Sequence, residues 1–234
     1  IRRSLWVTVQ LMFWGVVISA AVAIAIGVYS AVRQYSVLDY GLTGMTFLAL
    51  AMPPFWFGLI AIQFFSADVK TWFHLQDPLF YSIGLHKGGL SGFNLDYVRH
   101  LALPVITLTV QIVAGWSRYQ RAAMLDVMSA DYIRTARAKG VPRRRVIFKH
   151  GLRNALIPLV TVIALDVGVL FGGLIVTETI FSIPGMGRLF YDSLLGGDAT
   201  VLVSWTVVTA VFVIAFNLLA DVAYGWLDPR IRFS

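Results

Sequence analysis

Two stretches of this chain, Leu5 to Val32 and Tyr40 to Ala67, each run 28 residues without one charged side chain. A helix needs roughly 20 mostly apolar residues to cross a hydrocarbon layer about 30 Å thick. Backbone in lipid must also satisfy its own polar groups, which makes such runs helices. Three more runs follow: 17 uncharged positions from Leu101 to Ser117, 24 from Asn154 to Thr177 with the single acid Asp166, and 22 from Ala199 to Ala220. The expected fold is therefore all-α and polytopic, one transmembrane domain over residues 1–234. Its spans fall at about 5–32, 40–67, 101–123, 154–177 and 199–226. Composition narrows the choice further. The chain is 58% hydrophobic and 13% charged, against about 45–50% and about 25% in soluble domains. That balance excludes both an ordinary soluble domain and a disordered one. The chain has no cysteine, hence no disulfide framework and no thiolate metal site. His74, His86, His100 and His150 all fall between spans at spacings that suggest no metal site, and none is expected.

Orientation follows from lysine and arginine, which favour the cytoplasmic side. Grouping alternate loops places 13 basic residues with the 118–153 segment and 6 on the other side. The 118–153 segment and the C-terminus are then cytoplasmic, and Ile1 is outside. Five spans with an outer start lead to the expectation of a sixth span upstream of Ile1.

The cytoplasmic segment, about 124–153, reads as two short helices. Ser129 suits an N-cap and Asp131 a first turn, where the helix dipole favours an anion. Asp131 and Arg134, three apart, can pair on one face. Gly140 suits the left-handed position after a helix, and Pro142 can open the next one, which carries Arg143, Arg144, Arg145 and Lys149. A helix of about 11 residues is marginal alone in water, so the first one needs a partner surface. Ala136 and Ala138, followed by Gly140, would permit close backbone approach. A solvated basic loop and a lipid-headgroup site are the other physical readings.

Asp131-Tyr-Ile-Arg-Thr-Ala-Arg-Ala-Lys-Gly-Val141, followed by Lys149-His-Gly-Leu-Arg-Asn-Ala-Leu-Ile-Pro158, resembles the cytoplasmic loop of ABC importer permeases of the dipeptide, oligopeptide and nickel branch. Thr177-Glu-Thr-Ile-Phe-Ser-Ile-Pro-Gly-Met-Gly187 resembles that branch's outer loop. Asn217-Leu-Leu-Ala-Asp-Val-Ala-Tyr-Gly-Trp-Leu-Asp-Pro-Arg-Ile-Arg232 resembles its C-terminal signature, and Pro53-Pro-Phe-Trp-Phe-Gly58 and Leu103-Pro104 are further matches. The resemblance implies the type I ABC importer permease fold in a bacterial or archaeal cell membrane. It implies a second, homologous permease, two cytoplasmic ATPase subunits that use ATP and Mg, and an extracytoplasmic binding protein as partners. Asp131, Tyr132, Ile133, Arg134, Thr135, Ala136, Arg137, Ala138, Lys139 and Gly140 would form the helix that docks on an ATPase. The family's Glu-Ala-Ala-x-x-x-Gly pattern falls on Arg134, Thr135, Ala136 and Gly140, so the acid and the first alanine are absent here. The implied cargo is a di- or oligopeptide, with nickel, a nickel chelate or glutathione as alternatives.

The chain holds no Gly-Lys dipeptide and thus no phosphate-cradling Walker loop, so no enzymatic activity and no bound cofactor are expected of it. Asp166, inside a span, is a functional candidate by default. It would line a translocation path, or serve as the coupling site of an ion-driven transporter, or be a structural acid bonded to a neighbouring helix. Gln63 and Gln111 are further path candidates, with Gln10 and Asn217, although interhelical bonding accounts for such residues equally well. Pro53-Pro54 should break the second span, as a gate or as a fixed kink. Glu178 and Asp221, near span ends, read as snorkelling or packing groups. Glu178, Pro184, Gly185 and Gly187 mark an outer loop that could close the mouth or touch a binding protein. Gly89-Leu-Ser-Gly92 matches a short serine-protease motif, but no span supplies a histidine base.

Overall fold

The computed structural model describes residues 1–87 and 92–227, with side chains throughout except at 172, 173, 220 and 223–227. The Gly89–Gly92 motif therefore lies largely outside the described residues, as do Gly88, Arg230, Arg232 and the end of the C-terminal signature. All regular structure among the described residues is helical.

Helix α1, Arg2–Val32, carries no amphipathic pattern, because lipid and protein neighbours are equally apolar. What distinguishes its buried side is size. Gly15, Ser19, Ala23, Gly27 and Ala31 recur at every fourth position and are all buried. Small side chains let helix backbones approach closely. At Gly27 a Cβ would stand 2.7 Å from Gln120 Cβ and 2.8 Å from the Ser117 carbonyl. The partner across this seam is α5, Leu95–Ser129.

Helix α2, Val37–Ala51, begins at Ser36, whose hydroxyl accepts from Asp39 N. It stops at Pro53-Pro54, where two backbone donors are missing. Helix α3, Pro54–Ile62, restarts with proline at its first position. A π-helical stretch, Gln63–Asp68, leads into α4, Val69–Trp72. The sequence reads one span at 40–67; the structure has two helical arms bent by 104°. Four helices among the described residues are long and apolar enough to cross a membrane, or five if the bent pair is one span.

Helix α5 has 35 residues, a length of about 52 Å that exceeds the hydrocarbon layer. It starts with the Asn94 side chain accepting from Tyr97 N and tolerates Pro104 in its interior. Its last turns carry the chain beyond the apolar layer to α6, Asp131–Ala138. Helix α7, Arg143–Arg145, continues through a π-helical stretch, Val146–Leu152, into α8, Arg153–Gly173. The second short helix expected after Pro142 is thus the start of a helix long and apolar enough to span, because the single Pro158 in its interior removes one donor without ending the helix as Pro53-Pro54 does. Helices α9, Ile175–Ile180, and α10, Met186–Gly196, form an outer elbow before α11, Ala199–Leu227.

Three clusters of buried side chains stack along the bundle. The outer one joins Leu11, Leu103, Phe171, Phe181, Ile183 and Met186. A middle one joins Ala23, Val113, Trp116 and Leu159. The inner one joins Val28, Ala31, Met124, Ile147 and Ala155. Helix α11 presents Val203, Val207, Val211, Ile214 and Leu218 outward.

Candidate functional site

Helix α6, in the segment read from sequence as cytoplasmic, is held lightly. Its N-cap is Ala130, which offers no side-chain acceptor. Ser129 is not the cap expected from sequence. Its hydroxyl donates to the Asp126 carbonyl 2.8 Å away and so closes α5 instead. The far end is as expected. Gly140 adopts φ 74°, its N–H donates to Arg137 O, and Val141 N donates to Ala136 O. These are the two bonds of a Schellman stop. Among the described residues, nothing beyond its chain neighbours comes within 4 Å of a Cβ built on Gly140, so its glycine is required by backbone conformation and leaves open space beside it.

Ile133 is the buried anchor of α6 at 0% exposure. Tyr132 adds a tether: its hydroxyl accepts from Asn154 Nδ2 at 2.9 Å. Ala136 is half-buried, while Thr135, Arg137, Ala138 and Lys139 are exposed. Asp131 and Arg134 form the expected pair at 3.7 Å, in open solvent. Beside this helix a stronger pair fixes the scaffold. Asp39 is buried at 2% exposure and accepts from Arg121 Nη2 on α5 and from Tyr35 N. That pairing ties the start of α2 to the end of α5.

The three path candidates are not brought together. Asp166 accepts a 2.7 Å bond from Trp116 Nε1, across the α5–α8 contact. Gln111 donates from α5 to Met52 O at 3.2 Å. Met52 O is a carbonyl left without a helical partner at the Pro53-Pro54 break, so this glutamine supports the bend. Gln63 donates to Asp68 within its own π-helical stretch.

The outer loop residues do converge. Glu178 is fully buried, so it does not reach toward headgroups as a snorkelling residue would. Its carboxylate accepts from Thr8 Oγ1 at 2.5 Å, Gly187 N at 2.7 Å and Arg188 N at 3.1 Å. In effect it caps the N-terminus of α10 from α9, where the helix dipole favours an anion. Thr8 in turn accepts from Met186 N at 2.7 Å, and Trp205 Nε1 donates to Met186 O. Gly185 and Gly187 are glycines because of close approach. A Cβ on Gly185 would overlap the Glu178 carboxylate, and one on Gly187 would meet the Ile175 backbone. Pro184 stays exposed at the tip of the turn. Sequence reasoning missed Thr8, which lies 170 positions from its partner, and missed the Asp39–Arg121 pair. The fourfold spacing of small residues in α1 was a readable signal that went unused.

A family model described as "Binding-protein-dependent transport system inner membrane component" matches residues 23–233. The chain is 43% identical to the oligopeptide transport system permease protein AppB of Bacillus subtilis, over 97% of this chain and 69% of that protein. It is 41% identical to the dipeptide transport system permease protein DppB of Escherichia coli K12, over 96% and 70%. It is 38% identical to the oligopeptide transport system permease protein OppB of Mycobacterium tuberculosis H37Rv, over 99% and 72%. Among solved structures, an inward-facing form of the MetNI methionine ABC transporter superposes with a TM-score of 0.74 at 20% identity, over 97% of this chain and 95% of that one. That likeness establishes the fold as the one used by ABC importer permeases. The chain therefore belongs to the binding-protein-dependent transport system inner membrane components, a family of membrane permease subunits.

Proposed function

We propose that this chain is a membrane subunit of an ATP-driven importer of di- or oligopeptides, delivered by an extracytoplasmic binding protein. The relatives named as peptide permeases support that cargo. The relatives reported above are named for peptides, which favours that cargo over nickel or glutathione. The ion-coupled reading also loses ground, since Asp166 is already engaged by Trp116. Two cytoplasmic ATPases and a second permease would complete the assembly in a bacterial inner membrane. The ATPases would hold the ATP and Mg.

The observation that carries the coupling role is α6 itself. It is a short cationic helix with one buried anchor, a fixed glycine stop and an exposed face. ATPase closure would push on that face. Helix α6 would pass the movement to α5 and to the π-helical stretch at 146–152, against which the helix packs. Asp166, Gln63 and Gln111 would adjust the path only by changing partners.

Co-purification of the full-length chain from its host tests the assembly. ATPase subunits and a second permease should accompany it; a stable chain that brings down no ATPase would refute the coupling reading. Gly140→Val should cut peptide uptake by about tenfold or more, because a β-branched residue is strained at positive φ. Uptake unchanged by that substitution would remove Gly140 from the mechanism.

A further inference from the structure

A cavity of about 820 Å³ opens beside α6 at the cytoplasmic ends of α1 and α5. Three arginines, Arg33, Arg137 and Arg143, line it together with the apolar side chains of Leu125, Met128 and Ile147. No carboxylate lines it. None of the ion pairs among the described residues uses these three arginines. The contrast with Arg121 is direct, since that arginine is neutralised by Asp39 a short way along α5.

We propose that this cavity is a binding site for an anionic phospholipid of the cytoplasmic leaflet. Three arginines lining one cavity without a carboxylate match a phosphate, which guanidiniums can hold through paired N–H bonds. The apolar lining matches what lies below a phosphate in a lipid, the glycerol and first acyl carbons. The position is also right: the cavity is lined by the end of α1 and the last turns of α5, just past the span read at 101–123. Lipid bound there would touch both Arg33, at the end of a span, and Arg137, on α6. It would stitch the cytoplasmic helix to the leaflet, a role independent of any ATPase contact.

The test uses the full-length chain assembled with its partner subunits, in nanodiscs of phosphatidylcholine doped with phosphatidylglycerol. Native mass spectrometry counts the phosphatidylglycerol retained. Arg33→Gln with Arg143→Gln should lower retention about a hundredfold, from roughly tenfold for each charge-assisted contact to the phosphate lost. Arg144→Gln, a neighbour that does not line the cavity, should leave it unchanged. Arg33→Lys with Arg143→Lys should retain an intermediate amount and shows that the assembly still forms. Equal loss in Arg144→Gln would reduce the effect to general surface charge and overturn the site. So would full retention in the double glutamine variant. Displacement of lipid by millimolar glycerol 3-phosphate would assign the cavity to soluble phosphates instead. Retention seen only after the ATPases are stripped away would show that protein, not lipid, fills it.

Discussion

The two ends of this molecule hold their irregular segments in opposite ways. At the outer end the 182–188 turn is locked by Glu178, which receives three donors while fully buried. At the inner end α6 hangs on Ile133 and one tyrosine hydroxyl, with the Asp131 and Arg134 side chains 98% and 74% exposed. A segment with few buried contacts opens locally at low cost, whereas one tied into the core opens only with the core. The difference divides the labour. The outer elbow is tied into the bundle, and α6 keeps most of its surface open, as the proposed docking role requires.

The largest effect that breaks the comparison should come from Gly187→Val. Its side chain has to displace the Ile175 backbone, and interior overpacking against backbone cannot relax by a rotamer change. The expected outcome is loss of the monodisperse peak when a fluorescent fusion is run by size exclusion in mild detergent. A normal peak would mean the elbow is not rigid. Glu178→Ala comes next. It leaves the Thr8 hydroxyl proton and the Gly187 and Arg188 N–H groups without their acceptor, a cost of about 3 kcal/mol. The thermal midpoint in detergent should fall by several degrees. Thr8→Val combined with Glu178→Ala should cost less than the separate losses added together, because both remove one network.

Ile133→Ala sharpens the contrast from the other side. Truncating a buried isoleucine costs about 2–5 kcal/mol, but here the cost falls on α6 alone. Trypsin cleavage at Arg134 and Arg137 should rise by about tenfold or more while the thermal midpoint of the bundle stays put. A midpoint that fell as far as in Glu178→Ala would show that α6 is part of the cooperative core.

Much of this was legible in the sequence because the bilayer imposes it. Uncharged runs located the long helices, and the Pro53-Pro54 pair located the bend, since a missing donor acts wherever it stands. Gly140 was readable because a left-handed stop is a local event of three or four residues. The Glu178 clasp was not, because it joins Thr8 to a turn at the other end of the chain, and no spacing rule reaches that far. Ser129 misled for a related reason. Its hydroxyl has two helix ends within reach, and the backbone path at Ala130 gave it to α5. The bend angle and the joining of 143–173 into one ladder depend on how neighbouring helices pack, which local propensity does not encode.

The smallest effect expected is in Arg134→Gln. The pair it breaks is solvent-exposed at 3.7 Å, and such pairs contribute almost nothing to folding. Neither the thermal midpoint nor the trypsin profile at Arg137 should move measurably. Yet Arg134 lies on the face left open for a partner, so ATPase retention in pull-downs should fall by a few-fold at physiological salt and less at high salt, where exposed charges are screened. The two readouts separate the ends of the molecule as cleanly as any outer substitution does. A residue of the outer clasp changes stability whether or not partners are present, while Arg134 should matter only when they are. If Arg134→Gln lowered the midpoint of the isolated chain, the inner face would already be engaged within the chain, and the contrast between a locked outer elbow and an open inner helix would fail.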